Sequence, residues 1–195
     1  MARPAAYNRE EILELAMRAF WDKGYNATSM SDLVAITNLK PGSLYWAFRS
    51  KEDLLLAALD HYGKTSIRKV KSTLTDAGSP LNGIRDVFFM IAGEISDPCR
   101  NHGCFLVNSV LELSRQNRRV QKLVTSHLDV LESLFRETLE SARAVGELPP
   151  QKNPASLASF LICSIWGLRV LSQTASSMQR TRMVVDQVLS VLHDH

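Results

Sequence analysis

Residues 28–54 read T-S-M-S-D-L-V-A-I-T-N-L-K-P-G-S-L-Y-W-A-F-R-S-K-E-D-L, and this stretch constrains the fold more than any other part of the chain. Thr28 or Ser29 suits a helix N-cap, with Asp32 in the first turn, where the helix dipole favours an acid. Leu33, Val34 and Ile36 give that helix, about residues 30–37, its apolar face. Asn38 stands where the chain must turn sharply, and asparagine is one of the few non-glycine residues that tolerate a left-handed backbone. Leu39 is the apolar plug under the turn. Pro41 fits the first position of a second helix, because its missing N–H would be unpaired there in any case. Gly42 and Ser43 carry almost no side-chain bulk, so this helix can lie close to a phosphate backbone. Leu44 and Phe48, spaced i, i+4, face the core and leave Lys40, Ser43, Tyr45 and Trp46 to solvent or ligand. Ser50 starts the next helix, with Glu52 and Asp53 in its first turn. Two short helices around a tight turn, the second small at its start and aromatic on its free face, make a helix-turn-helix shaped for the major groove of DNA.

Read this way, Tyr45 and Lys51 are phosphate contacts, while Trp46 and Lys40 lie closer to the bases. The run from Gly42 through Tyr45, Trp46, Phe48, Lys51 and Asp53 to Leu54 resembles the recognition helix and following helix start of TetR-family transcriptional regulators. The likeness extends back through Ile12, Ala16, Phe20, Gly24, Tyr25, Thr28 and Ser29, so it covers roughly residues 8–60. Two positions depart from the family pattern. Asn38 occupies a turn where the family usually has glycine, and Pro41 the second recognition-helix position, which is often basic. The resemblance implies a DNA-contacting set of Thr28, Ser29, Lys40, Pro41, Gly42, Ser43, Tyr45, Trp46 and Lys51.

The net charge of +3 over 195 residues is too small for a nonspecific polycation, so any positive surface must be local. Arg3, Lys40, Arg49 and Lys51 are the candidates, with Arg3 in a short arm able to reach the minor groove. No signal-peptide pattern opens the chain, and its longest uncharged stretch, residues 154–168, is too short to span a bilayer. Cys99, Cys104 and Cys163 form an odd set without metal-ligand spacing, which fits a reduced, cytoplasmic setting and no cofactor. No Glu-x-x-His pair, Gly-rich phosphate loop or nucleophile motif supports an enzyme.

The remainder reads as helix without strand alternation. Asn8 and Gly24 bound a first helix, and a long one spans about residues 51–74. Breakers at Gly78-Ser79-Pro80 and Asp97-Pro98 delimit another at about 82–96. Helices near 105–114, 119–143, 154–174 and 180–193 complete an all-α chain. It divides into a helix-turn-helix domain, residues 1–52, and a helical effector and dimerisation domain, residues 53–195. The sixth and last of these patterns are apolar around much of their circumference. Leu161, Ile165, Leu168, Val185, Val188 and Leu192 are expected at a homodimer interface, as the resemblance implies and a palindromic double-stranded operator demands; a core within the monomer is the alternative.

Cys104 follows Gly103 at a helix start, with Arg100 and His102 nearby, where a thiolate is favoured. The segment is similar to the Gly-Cys-Leu motif of an electrophile-responsive TetR branch, which implies a sensor role for Cys104; a small apolar filler is the alternative. Cys163 reads as filler, and Cys99 is the candidate resolving partner. The expected function is a DNA-binding transcriptional regulator, a repressor released by a small molecule or electrophile. A regulator switched by a protein partner, or a helical enzyme, is the alternative.

Overall fold

The computed structural model describes residues 8–96, 103–174 and 177–193. Arg3, Asp97, Pro98, Cys99, Arg100 and His102 lie outside them, and with them the minor-groove arm and the resolving-cysteine expectation. The described residues form α-helices and one short 3-10 turn, with no strand among them. In order these are α1 (Arg9–Lys23), α2 (Met30–Thr37), α3 (Pro41–Phe48), α4 (Lys51–Asp76), α5 (Pro80–Ser96), α6 (Phe105–Leu113), α7 (Arg118–Ala144), α8 (Pro154–Leu171) and α9 (Met178–Leu189). A 3-10 turn, Ser190–Leu192, follows α9, so the last helix ends earlier than its apolar pattern suggests.

The chain folds as two compact units. One contains the described part of residues 1–65 together with Phe105–Thr125; the other contains what is described of residues 66–104 and 126–195. In the first unit Ile12, Ala16 and Phe20 of α1 are buried, as are Leu33 of α2, Leu44 and Phe48 of α3, and Leu54, Leu55, Ala58 and Leu59 of α4. Trp21, Tyr62 and Phe105 add an aromatic cluster, with ring centroids 5.1 to 5.9 Å apart. The Trp21–Tyr62 and Tyr62–Phe105 pairs are edge-to-face, an arrangement that contributes beyond the buried area.

The second unit has its own core, in which Val87, Phe88, Phe135, Leu139, Ala158, Leu161 and Val185 are fully buried. Glu94 of α5 is held between Lys69 of α4 and Arg169 of α8. Burial works against its charge, but the two cations outweigh that and keep its carboxyl below the usual carboxylate range. Helix α8 runs on through Arg169 to Leu171, and its 18 residues with mean hydropathy 1.5 are long and apolar enough to cross a membrane by length and composition alone. Ala158, Leu161, Ile162 and Leu168 instead pack into the core, and Arg169 is tied to Glu94.

Candidate nucleic-acid interface

Each piece of the helix-turn-helix has a local cause. Asn8 caps α1 by accepting the Glu10 N–H at 3.0 Å, and Gly24 ends it at φ 80, where a side chain would be strained. Ser29, rather than Thr28, caps α2. The Asp32 N–H donates to Ser29 Oγ at 3.1 Å, and the Ser29 N–H donates back to the Asp32 carboxylate at 2.8 Å, closing a capping box. The Ser29 hydroxyl above all, then the Ser29 N–H and Lys23, all donating to the Asp32 carboxylate, lower its carboxyl to about 2. Asn38 adopts φ 53 and ψ 23, the left-handed turn expected of it, and Pro41 opens α3. Arg49, which the sequence does not mark as a turn residue, also takes a positive φ of 60 as α3 passes into α4. Its N–H donates to the Tyr45 carbonyl at 2.7 Å.

The result is a short helix with two opposite faces. Leu44 and Phe48 are 0% and 4% exposed, whereas Tyr45 is 49% and Trp46 77% exposed. Lys40, Pro41 and Gly42 are exposed beside them and Ser43 half-buried. A Cβ on Gly42 would meet nothing within 4 Å, so no contact within the chain requires glycine there. Two residues of the expected DNA set turn inward. Thr28 is fully buried, its hydroxyl donating to the carbonyls of Gly24 at 2.7 Å and Ala19 at 3.3 Å. Lys51 is half-buried, and its ammonium donates to the carbonyls of Tyr25 and Thr28, both at 2.9 Å, and sits 4.1 Å from the centre of the Tyr25 ring. Both side chains thereby brace the α1–α2 turn. Ser29 is exposed, but its hydroxyl is engaged by Asp32.

The dimer and effector candidates are redistributed as well. Leu161, Leu168, Val185, Val188 and Leu192 are 0–8% exposed within the protomer's own core, and Ile165 packs partly buried against it. Buried in that core, those five offer a partner almost no surface. The apolar surface left on α8 includes Phe160, Cys163, Gly167 and Val170, at helical spacing along one face; Met178 and Met183 are exposed on α9. Cys163 is therefore exposed and not core filler. Cys104 is half-buried directly before α6, while Phe105 and Leu106 are buried. Gly103 before it has φ 75, where a side chain would be strained, and a Cβ there would stand 2.3 Å from Gln173 Nε2, so the end of that side chain would have to move aside. Two open clefts of about 430 and 420 Å³ mark the second unit, one bordered by Glu132, Arg136 and Ser159 and the other by Lys71, Leu134 and Glu137.

Comparison with known proteins agrees with this architecture. The family of bacterial regulatory proteins of the tetR type matches residues 12–58, and the tetracyclin repressor-like C-terminal domain matches residues 80–188. The chain is similar to the HTH-type transcriptional repressor ComR of Escherichia coli (strain K12), 31% identical over 188 residues, 96% of this chain and 90% of that protein. It is also 30% identical over 193 residues to the uncharacterized HTH-type regulator YezE of Bacillus subtilis (strain 168), 98% of this chain and all of that one (100%). A cysteine variant of the TetR-family regulator CifR, solved with 26 bp double-strand operator DNA, matches with TM-score 0.88 at 28% identity, covering 98% of this chain and 100% of that one. The two family domains account for the helix-turn-helix and most of the helical second unit, and the chain belongs to the TetR family of DNA-binding transcriptional regulators.

Proposed function

We propose that the chain is a cytoplasmic, homodimeric repressor that holds a two-fold symmetric DNA operator through two copies of α3. The observation that carries this reading is the exposed face of α3: Trp46 at 77% and Tyr45 at 49% exposure beside Lys40 and an uncrowded Gly42, on a helix anchored by Leu44 and Phe48. Trp46 and Lys40 reach base edges, whereas Tyr45, Ser43 and the start of α3 meet phosphates. DNA reading falls to residues 1–52, and effector binding and dimerisation to residues 53–195. The protomers meet through the exposed face of α8. The name of the relative ComR, called a repressor, supports repression over activation.

Release follows from an effector, a small molecule or an electrophile acting at Cys104, that shifts α4 and changes the separation of the two α3 helices. An electrophile route requires that alkylation of Cys104 release DNA and that Cys104→Ser bind DNA yet ignore the agent. The DNA-binding face itself is tested with Gly42→Leu. Helical content and oligomeric state stay as in the wild type, while anisotropy titrations with duplex DNA show at least a tenfold loss of affinity, because the new side chain occupies the space a phosphate needs. Unchanged affinity would remove α3 from the interface.

A further inference from the structure

Glu112 of α6 holds the turn of the DNA-reading module with both oxygens of its carboxylate. Oε2 accepts the Tyr25 N–H at 3.0 Å. Oε1 accepts the Asn26 N–H at 3.0 Å and the Asn26 side-chain amide at 2.9 Å. Tyr25 and Asn26 belong to the connection between α1 and α2, directly after Gly24. A Cβ on Gly24 would stand 3.2 Å from Oε2 and 3.4 Å from Oε1, so the carboxylate lies against the one residue of this turn that lacks a side chain. Two side chains therefore grip the turn from different helices: Lys51 of α4 takes the carbonyls of Tyr25 and Thr28, and Glu112 takes the N–H groups of Tyr25 and Asn26. Close by in sequence, Arg119 of α7 reaches Glu52 at 3.1 Å and Asp53 at 2.8 Å in the first turn of α4.

We propose that Glu112 is a positioning residue for DNA binding, which sets the disposition of α2 and α3 by fixing the turn that feeds α2, without touching DNA itself. This inference rests on the DNA-binding reading above. The sign of its effect separates it from simple electrostatics. Removing an acid from a protein that binds a polyanion raises affinity by charge alone, whereas loss of positioning lowers it.

The test uses the full-length protein and the duplex that the wild type enriches from a randomised double-stranded pool, titrated by fluorescence anisotropy at several salt concentrations. Glu112→Ala is expected to weaken binding about tenfold, the scale of lost hydrogen bonds to a charged group, with no change in salt slope. Glu112→Asp, which keeps the carboxylate on a shorter stem, retains part of the affinity. Asn26→Ala, on an exposed turn, weakens binding about threefold and lowers the melting temperature by only a few degrees, the scale of one lost hydrogen bond. The double variant Glu112→Ala/Asn26→Ala binds no more weakly than Glu112→Ala alone. Affinity in Glu112→Ala equal to or above wild type would overturn the proposal, and so would independent, additive losses in the double variant. If Glu112→Ala folds poorly, Asn26→Ala decides: affinity equal to wild type overturns it. A wild type that enriches no duplex defeats the DNA-binding reading and the positioning role with it; an enriched duplex bound equally by Glu112→Ala defeats only the positioning role.

Discussion

At Lys51 one ammonium group meets two backbone carbonyls at 2.9 Å and the face of Tyr25, which leaves it little freedom to follow a phosphate. Lys51→Met is expected to destabilise the protein by about 1–2 kcal/mol, lowering Tm by about 2–8 °C, and to leave the salt slope of DNA binding unchanged. A slope smaller by about one unit, at unchanged Tm, would instead return Lys51 to the phosphates. Asp32 yields a pH prediction. Its folded-state value of about 2 lies below the ordinary 3.8, so its contribution is complete above about pH 4 and is lost as the pH falls towards about 2. Melting curves should show Asp32→Asn losing less stability than wild type between those limits; identical slopes would contradict the capping box as its cause. The cap, the left-handed Asn38 and Pro41 at the head of α3 were all legible in the sequence, because each depends on neighbours a few residues away. The inward turn of Thr28 and Lys51 was not. It depends on where α1 and α4 run, and a lysine at a helix start reads the same whether its ammonium meets a phosphate or a carbonyl.

Among the helices, α8 shows how far periodicity can carry. Its apolar residues cover most of its circumference, which predicts burial on most sides but not which side faces the protomer core. Leu161 and Leu168 face the core, while Phe160, Cys163, Gly167 and Val170 remain exposed. Two substitutions separate these roles. Phe160→Glu is expected to leave the helical content intact and shift sedimentation towards the monomer. Leu168→Glu places a charge in a packed core and should unfold the protein, at a cost of about 4 kcal/mol or more. A dimeric, folded Phe160→Glu would move the interface off this face. Helix boundaries agree with the apolar patterns to within a few residues, except at the end of α9, where the Val191-Leu192 continuation is a 3-10 turn. The ionic tie among Lys69, Glu94 and Arg169 left no local signal, since its members are separated by 25 and 75 residues.

For the whole molecule, the sequence placed the first domain boundary at the helix-turn-helix, but α6 and the start of α7 fold into the same compact unit as that motif. Glu112 and Arg119 explain why: their partners lie 86 and 67 residues away along the chain, beyond the reach of any periodic pattern. The central claim, that this regulator reads a two-fold symmetric DNA site through α3, is tested most directly by selection of duplexes from a randomised pool with the purified wild-type chain. The expected result is one inverted repeat, its half-sites a whole number of helical turns apart, about 10 bp each, and bound on the order of a thousandfold more tightly than random duplex. A pool that stays random after repeated rounds, or an enriched site without two-fold symmetry, would contradict it.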